Sequence, residues 1–518
     1  MTYTGKPSRG CEPCRKVHVK CDEKHPECSR CVRLKKSCTG YRDEVDIMFR
    51  VVDGRSSDSN LSWNGRPRKV EQRSPDLLPG IARSLFPSQE DKSLCYFYEY
   101  MIGTMSESDH SWYLHLQLPY LISRTRQDSA LYLAAQAISQ AVWAKYRGNY
   151  AHTMRVSRKR YMQSISALKA AIRDPIEVKS DENLYAVLLL CGYETITFDS
   201  EVLSAWGSHV DGAAALLRVR GKEHLSTRFQ CNMFLFIRRN AVHSHIQLSR
   251  PADPIFDELA EAVISYENTE DRLLSMTIRV PQLQSLASDI LSQPSPSVVE
   301  SDVVELTRAA EDLGGELADW ARNVPAGWSY SVATNLNSMS SSEQDTSYYI
   351  PSAIHGYADF YIARVWNMYR VSRLIIQSIL YRAGSIKVDG QYPEDTQIAK
   401  TNRMLVNDIC ASVPFLLGYD LTQLKRTPIN TTQDDKSIWP QSSTSKVASC
   451  KHTGRFSLVW PLYLACSEPS IPETQRLWMR AQLRWIAEHG AEKQTKLVSR
   501  TQSQTLLGVS EDFRFDCV

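Results

Sequence analysis

The sequence predicts an all-α chain with a small two-helix head and a large, all-helical body. Three observations predict it. Glycine (22) and proline (23) are sparse in 518 residues, against a usual share of about 12 % for the two together. Apolar residues recur at i, i+4, i+7 and i+11 along several segments, the pattern of one buried helix face, and no strand-like alternation of useful length occurs. Six of the 13 cysteines are crowded between Cys11 and Cys38, in a stretch too short to bury a core of its own. Apolar residues (42 %) and charged residues (23 %) are in ordinary proportion, so wholesale disorder is not expected. The longest apolar runs, Leu184 to Tyr193 and Phe456 to Cys466, fall far short of the ~20 residues of a membrane helix. The opening MTYTGKPSRG has no apolar signal core, so neither a membrane span nor a secretory leader is expected.

The head comes first. Its cysteines are Cys11, Cys14, Cys21, Cys28, Cys31 and Cys38, spaced C-x2-C-x6-C-x6-C-x2-C-x6-C. Adding 17 to the first three positions gives the last three, so CEPCRKVHVKC and CSRCVRLKKSC read as two copies of one unit. Each unit puts two cysteines at the start of a short helix, where free N–H groups favour thiolate, and the third just beyond its end. With no secretory context the cluster reads as metal ligands rather than disulfides. A closed thiolate zinc site is four-coordinate. One zinc would leave two cysteines idle, and two independent zincs would need eight ligands. Two bridging thiolates close the count, and the repeat makes Cys11 and Cys28 the equivalent pair. The expected cofactor is therefore two Zn(II) ions, which would supply the folding energy of this zinc-stapled head.

Charge singles out the same segment. Residues 1–42 hold eleven Lys/Arg and four acids, a net +7 in a chain of net +3, leaving −4 for the rest. Six thiolates and two dications lower the head to about +5, still basic enough to seek an anionic partner.

The cysteine pattern resembles the fungal-type binuclear zinc cluster DNA-binding domain, over residues 8–42. The resemblance implies a sequence-specific module that sets a short helix in the major groove of double-stranded DNA, with a CGG-like, G·C-rich motif as its target. It also implies that the stretch between the second and third cysteines makes most contacts: here Arg15, Lys16, Val17, His18, Val19 and Lys20. Arg15, Lys16 and Lys20 suit phosphates, and His18 can donate to a guanine edge. The family usually carries Lys or Arg at the positions of Val17 and His18, so this chain departs at both. A transcription regulator acting in the nucleus follows from the resemblance.

Residues 43–80 are rich in Ser, Gly, Pro and charge and read as a flexible linker. They provide one apolar heptad at most, so no adjacent coiled coil is expected. The linker's cluster Arg66-Pro67-Arg68-Lys69 suits nuclear import, or solvent.

The body, residues 81–495, reads as successive helices, with a tail at 496–518. Asp128 is placed to cap a helix ending before Gly148, with Leu131, Ala135, Ile138 and Val142 on one face. The next carries Tyr161, Ile165, Leu168 and Ile172 and stops at Pro175. Ser200 is placed to cap a third, with Leu203, Trp206, Val210, Ala213 and Leu217, ending at Gly221. Residues 352–383 and 474–489 read as further helices, the latter with Leu477, Leu483, Trp485 and Ile486. The Ser-rich stretches 326–349 and 428–453 read as long surface loops or disordered insertions. WGSHVDGAAALLRVRG (Trp206, His209, Gly212, Arg220, Gly221), WNMYRVSRLII (Asn367, Arg370, Arg373) and VWPLYLA resemble the fungal-specific transcription factor regulatory domain. That resemblance implies effector or partner sensing, with co-regulators among the partners; with no coiled coil beside the head, the chain either binds DNA as a monomer or forms a homodimer through the body. The plainer reading is that these residues pack and cap helices.

No P-loop, HExxH or GxSxG motif is present, so an enzyme is not expected. His243 and His245 point to different sides of a helix and read as satisfied histidines. Arg155, Arg158, Lys159 and Arg160 form a basic helix face, solvated or touching a second partner. The alternative to a DNA-binding regulator is a helical scaffold or ligand-binding protein whose cluster is purely structural.

Overall fold

The computed structural model describes residues 11–17, 19–24, 27–35, 37–38, 87–148, 150–197, 204–291, 299–335, 349–387, 396–419, 421 and 445–489. The linker 43–80, its basic cluster and the tail 496–518 lie outside the described residues. Two five-residue helices form the head, α1 (Glu12–Lys16) and α2 (Ser29–Arg33), their bounds offset by the 17 residues of the sequence repeat.

The body opens with α3 (Gln89–Thr104), started by a Ser88/Asp91 capping box, and α4 (His110–Arg124), capped by Asp109. Next comes α5 (Ala130–Arg147). Its cap is Ser129, whose hydroxyl accepts from the Tyr132 N–H; Asp128, one residue too early, pairs with Arg126 in solvent instead. The helix closes at Gly148, whose φ of 105° a side chain would oppose. Leu131, Ala135, Ile138 and Val142 are all buried, and so are Gln136, Ser139 and Gln140, because α5 is surrounded by α3, α6 (Tyr150–Ala171) and α7 (Asp181–Thr197). Ser157 and Ser164 of α6 donate to the carbonyls of Ala137 and Ala130 at 2.7 and 2.8 Å, which draws α6 close. Tyr161, Ile165 and Leu168 are buried; Ile172 lies just past the helix end, half-buried. α7 is buried from Asn183 to Cys191 on every side, as its unbroken apolar run requires.

α8 (Ser204–Arg220) ends at Gly221 (φ 69°) and buries Val210, Ala213 and Leu217. The proposed cap Ser200 and Leu203 lie outside the described residues. α9 (Arg228–Leu248) starts on a Thr227/Gln230 capping box and runs through the body's centre, against α4, α7, α8, α11 (Thr269–Thr277) and α12 (Val280–Leu291). The short α10 (Ile255–Glu258) packs on α8. α13 (Glu300–Arg322) buries Val303, Leu306, Ala310, Leu313 and Leu317 against α14 (Phe360–Lys387). α15 (Gln397–Leu416), α16 (Ser445–Cys466) and α17 (Glu473–His489) complete the chain. In α17, Leu483 and Ile486 are buried but Leu477 is exposed. Gly454 of α16 sits where α15 ends: a Cβ there would collide with the Leu416 carbonyl oxygen.

Two expectations are corrected. Residues 331–335 are not loop and 353–356 are not helix: they pair as antiparallel strands β1 (Ser331–Asn335) and β2 (Ala353–Gly356), with an irregular register between Val332 and Thr334. Neighbouring Ile354 and His355 of β2 are both buried, so its strand period could not show. The Ser-rich stretch 428–453 is cut short by α16, which starts at Ser445. Among the described residues, no helix is long and apolar enough to cross a membrane.

Buried histidines give the body a pH response. Burial lowers His115 to about 4, and burial, then the nearby Arg370, lower His355 to about 3. Both stay neutral when folded, whereas the unfolded chain protonates them near ~6.5. The unfolded state therefore binds more protons between those values, and stability falls as pH falls. A lower urea midpoint at pH 5 than at pH 7.5 is expected; an equal or higher one contradicts it.

Candidate metal centre and nucleic-acid interface

The head is built around sulfur. Cys11, Cys14, Cys28 and Cys31 are buried, and Cys21 and Cys38 pack against them. Cys28 caps α2, its sulfur accepting from the Cys31 N–H at 3.3 Å. In the first unit the Cys21 sulfur accepts from the Cys11 N–H at 3.5 Å. Asp22 ties the units together, accepting from the Ser29 N–H at 3.1 and 3.3 Å. Contact with Ser29 holds its carboxyl below the usual carboxylate range.

The six thiols form two overlapping quartets, Cys11-Cys14-Cys21-Cys28 and Cys11-Cys28-Cys31-Cys38, with sulfurs within 4.8 Å of one another in each. Cys11 and Cys28 belong to both. Their sulfurs lie 3.6 Å apart, and Cys11–Cys31 and Cys14–Cys28 are each 3.7 Å. A disulfide would need about 2.05 Å. A tetrahedron with Zn–S bonds of ~2.3 Å has edges of roughly 3.8 Å, so the donor set fits zinc. Without a cation two of the thiols resist ionisation: the adjacent Cys28 thiol, then burial, push Cys31 up to about 12, and burial pushes Cys11 higher still; Cys21, although burial opposes it, is held below its ordinary value by the Cys11 and Glu23 backbone N–H groups. A bound divalent ion reverses this and deprotonates its ligands. Arg30 points Nη1 at the Cys14 sulfur, 3.9 Å away, placing a cation of the second unit beside a thiol of the first. Sequence reasoning missed both Arg30 and Asp22, since neither lies in a metal motif.

The residues expected to meet DNA follow from α1. Arg15 and Lys16 are on the helix; Lys16 is exposed at its end, and Val17, Val19 and Lys20 are exposed beyond it. The side chain of Arg15 and all of His18 lie outside the described residues.

Most of the body residues singled out in the sequence bond to other residues within the fold. His209 meets the Tyr161 hydroxyl at 3.0 Å, and Arg220 binds Asp181 at 2.5 Å and the Lys179 carbonyl. Asn367 donates to Ser412 (3.0 Å), and Arg370 donates to Asn367 and Tyr357 (2.8 Å each). Arg373 donates to Tyr369 (3.1 Å). His243 bonds the Arg239 carbonyl and His245 those of Arg250 and Pro251. The side chain of Trp206 lies outside the described residues.

Residues 9–46 match the model of the fungal Zn(2)-Cys(6) binuclear cluster domain, and residues 92–248 that of the fungal specific transcription factor domain. Transcription factor dbaG of Emericella nidulans is 20 % identical over 340 residues, 64 % of this chain and 72 % of that protein. White-opaque regulator 2 of Candida albicans is 59 % identical over 34 residues, 7 % of this chain and 8 % of that protein. The aspercryptin biosynthesis cluster-specific transcription regulator atnN of Emericella nidulans is 23 % identical over 197 residues, 36 % of this chain and 30 % of that protein. No solved structure matches.

Proposed function

We propose how this chain, a transcription regulator that joins a binuclear zinc cluster domain to a fungal specific transcription factor domain, reads its target. The reading rests on one observation: two thiol quartets sharing Cys11 and Cys28 lie directly beside exposed Lys16, Val17, Val19 and Lys20. Cys11, Cys14, Cys21 and Cys28 would hold one zinc, and Cys11, Cys28, Cys31 and Cys38 the other. The metal pair, when bound, cross-links the two units and supplies roughly 10–16 kcal/mol per ion toward folding them. The cluster then presents α1 to the major groove of duplex DNA. Arg15, Lys16 and Lys20 hold phosphates and set the register. His18 donates to the N7/O6 edge of a guanine in a short, G·C-rich, CGG-like motif, and exposed Val17 and Val19 offer methyl contacts at the groove floor. The site of action is the nucleus. Co-regulators, or a second copy of the chain, would dock on the helical body.

A selection from random duplexes with the zinc-loaded chain, with and without chelator, tests this. Zinc-dependent enrichment of a short G·C-rich motif is expected. Salt-sensitive binding with no enriched motif would favour the scaffold reading, in which the cluster is structural only. Within the motif, His18→Ala is expected to change the preferred base at one position, at a cost of about 1–3 kcal/mol for the original site. Lys20→Ala is expected to weaken all sites alike and to lower the salt slope by about 1. Competition binding over a panel of single-base variants separates the two effects.

A further inference from the structure

The two units of the head repeat at an offset of 17 residues, but one contact breaks the repeat. Arg30, the residue before Cys31, is half-buried and points Nη1 at the Cys14 sulfur of the other unit, 3.9 Å away. Its counterpart 17 positions earlier is Pro13, the residue before Cys14. A proline side chain has no donor, so the reciprocal contact from Pro13 to Cys31 cannot form. The Cys31 sulfur faces the Cys11 sulfur, at 3.7 Å. Among the described residues, no guanidinium stands beside it.

The position of this one cation has an electrostatic consequence. Zinc binds thiolates, so loading the head strips the protons from its thiols. Six thiolates around two Zn(II) ions leave the filled cluster doubly negative, whereas six thiols are neutral. A cation fixed beside the cluster therefore favours the filled state over the empty one. Cys14 and Cys31 each belong to one quartet, unlike Cys11 and Cys28, which serve both. A sulfur bound to a single ion keeps more of its negative charge than one shared between two, so a donor counts for more there. The guanidinium stays charged at any working pH, and a charged donor makes a hydrogen bond about twice as strong as a neutral one. Asp22 does not cancel the asymmetry. Its carboxylate faces the Ser29 N–H, next to Cys28, whose sulfur is common to both quartets.

We propose that Arg30 makes the two metal positions unequal, so that the ion of Cys11-Cys14-Cys21-Cys28 is held more tightly and leaves last. The proposal rests on the binuclear reading given above. Its consequence falls on the DNA-facing segment. Cys14 and Cys21 bracket residues 15–20, so the ion retained longest is the one that closes this loop, and the ion lost first is that of the second unit. Arg30 is a positioning residue here: it acts on the metal through the Cys14 sulfur.

The zinc-loaded full chain should be challenged with excess EDTA in the presence of iodoacetamide. Native mass spectrometry counts the zinc, and peptide mapping locates the alkylated cysteines. Wild type is expected to pass through a one-zinc species with Cys31 and Cys38 alkylated, Cys14 and Cys21 reacting roughly tenfold more slowly, the low end of the effect of such outer partners. Arg30→Gln is expected to abolish that difference, and Arg30→Lys, which keeps the charge, to restore most of it. Pro13→Arg, which supplies the missing cation to the second unit's quartet, is expected to slow Cys31 and Cys38 toward the rate of Cys14 and Cys21. Three results overturn the inference and leave the binuclear reading intact: loss of both ions from wild type in one step, earlier alkylation of Cys14 and Cys21, or an unchanged order in Arg30→Gln. Weaker DNA binding by Arg30→Gln with an unchanged order makes Arg30 a phosphate contact instead. Should Arg30→Gln load fewer than two ions, the order in Pro13→Arg decides, and no change there overturns the inference. A wild-type chain that loads fewer than two ions sinks the reading on which it rests.

Discussion

Replacing Cys11 or Cys28 by serine is expected to empty both metal positions, whereas replacing Cys38 empties one. The reason is membership. Cys11 and Cys28 lie in both thiol quartets, and Cys14, Cys21, Cys31 and Cys38 each lie in one. A serine hydroxyl cannot replace a thiolate at neutral pH, so each variant strips a ligand from every quartet that used it. Losing structural zinc removes about 10–16 kcal/mol per ion, more than a segment this short can recover by burial. Native mass spectrometry of the purified chain should count two zincs for wild type, one for Cys38→Ser and none for Cys11→Ser. DNA binding should vanish with the bridging variants. Equal zinc loss from Cys38→Ser and Cys11→Ser would remove support for the bridges.

The second large effect is expected in the body. Arg239 on α9 is buried, with Nη1 2.8 Å from Asp109 and Nη2 2.5 Å from Glu270. Arg364 of α14 reaches the same Glu270 at 3.0 Å and Asp109 at 3.7 Å, and the Tyr361 hydroxyl donates to Glu270 at 2.8 Å. Asp109 also caps α4, accepting from the Ser111 N–H at 2.8 Å. The cluster thus joins α4, α9, α11 and α14. Arg239 and Arg364 hold the Asp109 carboxyl far below its usual range despite burial, which opposes them. Arg239→Ala leaves two buried carboxylates facing one another with one cation, a change worth about 3–5 kcal/mol. Arg126→Ala, which breaks an ion pair exposed at both ends, should cost less than ~1 kcal/mol. Urea unfolding of the two variants makes the comparison. Equal shifts in midpoint would mean that the buried cluster contributes no more than a surface pair.

How much of this was legible in the sequence varies by element. The head was, because a 17-residue repeat and a fixed ligand number leave few solutions, and the helices α1 and α2 obey the same offset. The stripes of α5 and α6 were legible because a 3.6-residue period is local. The cap of α5 was misplaced by one residue, since Asp128 and Ser129 are both good caps and only the backbone decides between them. The β1–β2 pair was not legible: its strands are five and four residues long, 18 residues apart, and β2 buries two neighbouring residues rather than alternate ones. Nor was the Arg239–Asp109 contact, which joins positions 130 apart. Arg30 beside Cys14 is of the same kind, a contact made only once the two units have closed on each other.

The central claim is that two zinc ions share Cys11 and Cys28. X-ray absorption at the zinc edge of the loaded full chain tests it most directly. Four sulfurs at about 2.3 Å around each zinc, with a second zinc at roughly 3 Å, are the result that edge-sharing tetrahedra require. Nitrogen or oxygen ligands in the first shell, or sulfur-bound zinc with no metal neighbour, would contradict it.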